Sequence, residues 1–387
     1  MQCVNVIGTR QQRRGKGNIR QGGHMIDMWR EAALANAAQW IGWGGLVIGI
    51  VFGFTIQRTN FCTMGSISDI LSFGDYRRFR SWLMAAGVAI IGVAVIERMG
   101  VIDTSYSIYT GSTFQWGGHI IGGLLFGVGM VFGGGCVSKN LARAGGGDLR
   151  SMLVLVVIGI AGYMTIGGLF AQARIAITSP LTSDLSAVGL GSQRMDEMLA
   201  ALTGLSATTA NLIAVVAIAG ALLVYAFADK GFRTSPNHMI AGLVVGLCVL
   251  AGWFLTGLTF DDFADNPRVG SLSFVRPAGD TVDYLMRFTA YEAVTFTVVT
   301  LLGALIGAFL SAITKKSFAL ATFTDPGDTL RNIGGAVLMG IGGVTALGCT
   351  VGQSVTGLST LALGSLITFV FIVIGGIIGM KAMEAMA

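Results

Sequence analysis

Two stretches of the chain decide its fold: "GGLLFGVGMVFGGGCVSKN" at residues 122–140 and "GAVLMGIGGVTALGCTVGQ" at residues 335–353. At a constant offset of 213, Gly122 falls on Gly335, Gly127 on Gly340, Gly129 on Gly342, and Gly135-Cys136 on Gly348-Cys349. Asn140 falls on Gln353, a second amide, and Gly162 falls on Gly375 in the apolar run that follows. Glycines alone would mean only that small residues let helices approach closely. The duplicated Gly-Cys after a duplicated Gly-x-Gly points to an internal repeat.

The surrounding chain is apolar enough to sit in lipid. Of 387 residues, 53% are hydrophobic and 12% charged, and the mean hydropathy is +0.72. A soluble domain carries about 25% charged residues, so this one lacks the solvated side chains to cover its apolar surface. Gly numbers 58 and Pro only 5, and the five cysteines include no C-x-x-C pair. Those counts exclude a collagen-like, disordered or disulfide-stapled chain. With three histidines and no H-E-x-x-H, no metal site is expected. The net charge of +5 comes from a basic tail (Arg10, Arg13, Arg14, Lys16, Arg20) and from short loops, so it is no nucleic-acid signal.

A membrane-spanning helix needs about 20 apolar residues. That ruler finds nine candidates, at 40–56, 81–96, 117–132, 151–170, 211–227, 239–258, 290–313, 333–347 and 361–380. The third and eighth are short and interrupted by glycine, which suggests half-helices. The fold class is therefore all-α and polytopic, with about nine crossings plus short re-entrant helices or loops. Residues 1–38 form a tail and an amphipathic lead-in, with Met25 or Met28 as alternative starts, and 39–387 form one membrane unit. With nine crossings the two matched segments run in opposite directions, giving inverted pseudo-repeats at about 40–174 and 208–381. Transporters built this way place the substrate near the midplane, at broken helices.

Loop charge sets the orientation. One side collects Arg58, Arg77, Arg78, Arg80, Lys139, Arg143, Arg150, Lys230, Arg233, Lys315, Lys316, Arg331 and Lys381; the other holds Arg98, Arg174, Arg194, Arg268, Arg276 and Arg287. By the positive-inside rule the first side is cytoplasmic, and the C-terminus with it. On the other side, 171–209 and the acidic 259–283 read as solvated loops or short surface helices.

Cys248 sits mid-helix among apolar neighbours and reads as a small core residue. Cys62, Cys136 and Cys349 differ, because each stands where a long apolar run gives way to polar or small residues. Non-helical backbone at membrane depth is tolerated only inside protein or along a cavity, so these three thiols mark a sulfur-lined path. Arg58, Lys139 and Arg143 are candidates for attracting an anion, while Asn140, Gln353, Gly135 and Gly348 are candidates for shaping the path. A second reading makes Cys136 the persulfide-forming nucleophile of a membrane-embedded sulfurtransferase, activated by Lys139 and Arg143.

The stretches "TIQRTNFCTMGSISD" (55–69), "GGGCVSKNLARAGGGDLRS" (133–151) and "TALGCTVGQSVTGLSTLALGS" (345–365) resemble the YeeE/YedE family of bacterial membrane proteins. The similarity covers about 40–381 and is nearer the thiosulfate-transporting YeeE members than the selenium-linked YedE members. It implies an hourglass-shaped transporter of the inner membrane, not an enzyme, with no cofactor. In such a transporter thiosulfate passes three central cysteines by hydrogen bonds, at the positions of Cys62, Cys136 and Cys349 here. A small cytoplasmic carrier of the TusA type is the implied partner, and another sulfur or selenium anion is the alternative cargo.

Overall fold

The computed structural model describes residues 21–260, 268–291, 294–323 and 325–386. In chain order the helices are α1 (Gln21–Ala35), α2 (Ala37–Thr59), α3 (Thr63–Phe73), α4 (Arg77–Arg98), α5 (Trp116–Phe132), α6 (Val137–Gly145), α7 (Leu149–Ile166) and α8 (Ala171–Thr178). They continue as α9 (Met195–Thr203), α10 (Ala207–Ala228), α11 (Lys230–Arg233), α12 (Pro236–Leu258), α13 (Val275–Met286), α14 (Phe296–Thr314), α15 (Pro326–Thr345) and α16 (Leu363–Met386). Among the described residues the one strand pair is short and antiparallel, with Thr113 opposite Asp184 and Phe114 opposite Ser183.

Eight helical stretches among the described residues are long and apolar enough to cross a membrane: α2 with α3, α4, α5 with α6, α7, α10, α12, α14 and α16. The ninth candidate run lies in α15, which starts seven residues earlier than expected. Its first turns carry Asp328, Arg331 and Asn332, and these lower its apolar content. Both α5 and α15 run unbroken through their glycines, over 17 and 20 residues. The glycines in them make contact surfaces rather than breaks.

Those contacts order the bundle. Gly49 and Gly53 of α2 lie on Thr300 to Ala304 of α14, and Gly303 and Gly307 return the contact on Leu46 to Phe54. A Cβ at Gly53 would stand 2.0 Å from the Ala304 carbonyl oxygen, and one at Gly307 the same distance from that of Ile50. Residue numbers rise together along this pair, so the helices are parallel. The same holds for α4 along α12 (Gly242 on Ser81, Gly246 on Ala85) and α5 along α16 (Gly123 on Thr368, Gly127 on Ile372). α7 runs parallel to α15, where Gly340 meets Ile158 and Gly162 meets Val344. At the centre α5 and α15 are antiparallel, with Gly122 on Ala346 and Gly129 on Gly335.

Two expectations fall differently. The acidic stretch 259–283 is not simply a solvated loop: Leu272, Phe274, Val275 and Ala278 are buried, and α13 packs on α7 and α14. Its Asp261, Asp262 and Asp265, like the basic tail 1–20, lie outside the described residues. At the end where α2, α10 and α14 finish, Lys315 donates to the Arg58 carbonyl and Arg80 to the Tyr225 carbonyl. Arg77 is tied to Asp75 there, and the guanidinium holds that carboxyl down at about 2.

The helix contacts make a direct prediction. Gly307→Val drives a branched side chain into the Ile50 carbonyl and should cost about 2 kcal/mol or more, since overpacked cores lose about 1–3 kcal/mol. Gly42→Ala, with nothing within 4 Å of the added carbon, should leave thermal unfolding in detergent unchanged.

Candidate functional site

The matched segments end in the same turn. At the close of α5 the N–H groups of Gly133, Gly134 and Gly135 donate to the carbonyls of Gly129, Val131 and Met130. At the close of α15 those of Ala346, Leu347 and Gly348 donate to Gly342, Val344 and Gly343, position for position at the offset of 213. Gly134 and Leu347 both take the left-handed conformation, at φ 70° and 61°. This is how a helix satisfies its last carbonyls while reversing direction. Leu347 tolerates a backbone that costs a non-glycine residue roughly 1 kcal/mol.

The amides hold the turns from below. Asn140 Nδ2 donates to the carbonyls of Gly133 (3.3 Å), Gly135 (2.9 Å) and Cys136 (3.3 Å). Gln353 Nε2 donates to the carbonyl of Ala346, the residue equivalent to Gly133. Asn140 and Gln353, expected to line a path, act first as braces. Gly135 sits at φ 144°, and a Cβ there would stand 2.9 Å from Lys139 Cγ.

Each of the three cysteines then starts a helix. The carbonyls of Cys62, Cys136 and Cys349 accept the first helical bonds from Ser66, Asn140 and Gln353, at 3.0, 3.0 and 2.8 Å. The Cys62 sulfur accepts from the Gly65 N–H and the Cys349 sulfur from the Gly352 N–H, both at 3.4 Å. Cys136 holds the same place ahead of α6, with its sulfur 3.2 Å from Ser138 Oγ. Beyond Cys349 the backbone widens into a π-helical turn over Gly352–Gly357, a form that recurs at functional sites.

The structure brings the three thiols into one region. Cys136 faces both the Cys62 thiol and the side chain of Thr350, which follows Cys349. All three are sealed, at 3%, 0% and 1% exposure. They do not converge as ligands: among the described residues no group of three or more His, Cys, Asp or Glu could hold a metal ion. Cys248 lies apart in α12, buried.

The cations are placed differently from one another. Arg58 is exposed at the end of α2, and Lys139 reaches back to Asn60 Oδ1 at 2.9 Å. Arg143 is already committed: it donates to Asp148 Oδ2 through Nε at 2.9 Å and Nη2 at 2.6 Å, and to the Gly134 carbonyl at 2.9 Å. Its charge serves the turn.

Sequence reading passed over Ser273, half-buried between Leu272 and Phe274, with Oγ 3.8 Å from the Cys349 sulfur. The repeat offset carries Cys62 to Val275, the first residue of α13, and this signal could have found it. Tyr109, whose hydroxyl with Ser273 closes round Gly352, was passed over too.

A family model described as "Sulphur transport" matches residues 58–378. The chain is similar to the thiosulfate transporter TsuA of Spirochaeta thermophila, 27% identical over 338 residues, which covers 86% of this chain and 96% of the relative. It is also similar to the thiosulfate transporter TsuA of Escherichia coli, 27% identical over 349 residues, covering 86% and 91%. The probable transporter YedE of Salmonella typhimurium shares 28% identity over 107 residues, 27% of this chain and 24% of that one.

The amide braces can be tested by substitution. Asn140→Leu strips donors from three carbonyls and Gln353→Leu from one, and each unmet buried group costs about 1–3 kcal/mol. Both variants should melt earlier than the parent in detergent, Asn140→Leu more so.

Proposed function

The chain belongs to the sulphur-transport (YeeE/YedE) family, and from that premise we propose that it carries thiosulfate across the bacterial inner membrane, handing it past Cys62, Cys136 and Cys349. The observation that carries this reading is the placing of the thiols. Three neutral sulfur groups stand at three helix starts inside a bundle of membrane-length helices, where interrupted backbone is tolerated because protein surrounds it. With the Cys62 and Cys349 sulfurs accepting backbone N–H groups, their S–H protons remain free to donate to a passing anion. A thiol is a weak donor, which suits a station that must also release its guest.

The architecture supports passage from two ends. Exchanging α2, α4, α5 and α7 for α12, α14, α15 and α16 returns the same parallel pairs, which supports an inverted repeat within a transport unit at 39–387. The half-repeats at about 40–174 and 208–381 would then approach the centre from opposite faces. Cys62 and Cys136 come from the end rich in Arg and Lys, and Cys349 with Ser273 from the other. On the positive-inside rule the basic end is cytoplasmic, so thiosulfate is delivered inward, to a carrier of the TusA type.

Lys139 and Arg58 stand at the basic mouth, where a cation can attract an anion without trapping it. The persulfide reading loses its activating pair, since Arg143 is bound to Asp148 and the full-length relatives are named transporters.

Uptake of labelled thiosulfate into proteoliposomes should fall at least tenfold in Cys62→Ala, Cys136→Ala and Cys349→Ala and stay unchanged in Cys248→Ala. Full uptake in all three would overturn the thiol path. Unlabelled thiosulfate should compete, with sulfate, sulfite and selenite much weaker. A fluorescent reporter fused to the C-terminus should light up, since it would lie in the cytoplasm.

A further inference from the structure

Burying a hydroxyl with no partner costs about 1–3 kcal/mol, so such a group needs a reason. The segment that follows α15 is crowded with hydroxyls, and nearly all are satisfied. Thr345 donates to Ile341, Ser354 to Thr350, Thr356 to Leu272, Ser359 to Thr356 and Thr360 to Gly357, each through a backbone carbonyl at 2.5–2.8 Å. Thr350, and Ser365 at the start of α16, are the exceptions; Thr350 is the one beside a thiol. Its side chain is 1% exposed, and its Oγ1 has no hydrogen-bond partner in the protein. The carbonyl four residues back, Ala346, accepts from the Gln353 amide. The hydroxyl is left at the junction of the two halves, one residue from Cys349 and facing the Cys136 thiol.

A similar arrangement stands at Cys62, outside the repeat register, which pairs Thr350 with Val137. Thr63 follows Cys62 at the start of α3, is 2% exposed, and its Oγ1 is likewise unpartnered. Two Cys-Thr pairs thus open two helices, each with a buried hydroxyl held in reserve.

Resting on the function proposed above, we infer that Thr350, with Thr63 beside Cys62 in a like role, donates a hydrogen bond to an oxygen of the sulfur oxyanion as the neighbouring cysteines hold its sulfur end. Hydroxyl-to-oxyanion bonds are short and strong, about 2.5–2.7 Å, whereas thiols suit the larger, softer sulfur. A site offering both recognises a guest with one sulfur end and one oxygen end. The threonines are then specificity-determining residues, kept unpartnered at a cost in stability until the guest arrives.

The test compares Thr350→Val, nearly isosteric but without the hydroxyl, with Thr350→Ser, which keeps it. In proteoliposomes Thr350→Val should lose about tenfold in thiosulfate uptake at low concentration, mainly through KM, while Thr350→Ser should stay near the parent rate. Because the lost hydroxyl meets at most the weakly bonding Cys136 thiol, the melting temperature of Thr350→Val should be unchanged or raised. Parental uptake by Thr350→Val beside inactive Cys136→Ala and Cys349→Ala would overturn this inference and leave the thiol path standing. A melting temperature lowered along with uptake would show a packing role and overturn it as well. Thr63→Val repeats the comparison should the first variant fail to fold, and parental uptake there would count equally against the proposal.

Discussion

A helix that begins inside a membrane protein leaves its first N–H groups without water to bond, and much of this structure answers that constraint. Serine, threonine, asparagine and aspartate are the common N-cap residues, and the chain uses them where helices start near its ends: Asp148, Ser206, Asp229 and Asp325 cap α7, α10, α11 and α15. At the three interior starts it uses cysteine instead. Sulfur is a weaker acceptor than oxygen, so the choice gives up capping energy. On the proposed thiol path, what it gains is a sulfur that can offer an S–H and a polarizable surface to a passing anion.

The interior starts exist because α5 and α15 stop short, and they can stop because their walls are close. Helices that meet through Gly49, Gly53, Gly303 and Gly307, or through Gly122, Gly129, Gly335 and Gly342, bring backbone against backbone. In lipid, such contact replaces the hydrophobic drive that would hold a soluble core together. Tight outer pairs leave α3, α6, α13 and the turn after α15 as fillers, with the thiols among them. The glycine excess in the composition and the sulfur site are thus parts of one design.

Much of this was readable in the residues. Long apolar runs are the strongest signal a sequence gives, and each of the nine overlaps an observed helix, four of them running past a helix end. The Gly-Cys repeat coincides with a turn that the two helix ends share bond for bond. What failed did so for physical reasons. Asp280 and Asp283 made 259–283 look solvated, yet the apolar face of α13 folds inward while Asp283 is satisfied by Arg287 and Asp280 lies against Arg276. Arg143 stands beside Cys136 in sequence, but a helical turn aims it at Asp148. Thr350 and Thr63 drew no notice because spacing alone does not reveal which buried hydroxyls go unpartnered.

The placing of charge then has a simple logic. Two unit charges 4 Å apart attract by about 4 kcal/mol at the effective dielectric of a protein, and a dianion doubles that. A lysine at the level of Cys136 would hold such an anion for far longer than conduction allows. A neutral donor contributes only about 1 kcal/mol net, so several in succession can pass the anion along without a deep well. Lys139 and Arg58, where described, stand at the open end, and Arg143 is neutralised by Asp148. On the route proposed above, cations serve arrival and departure, and the sealed middle is left to thiols and hydroxyls, whose individual weakness would let the ion move.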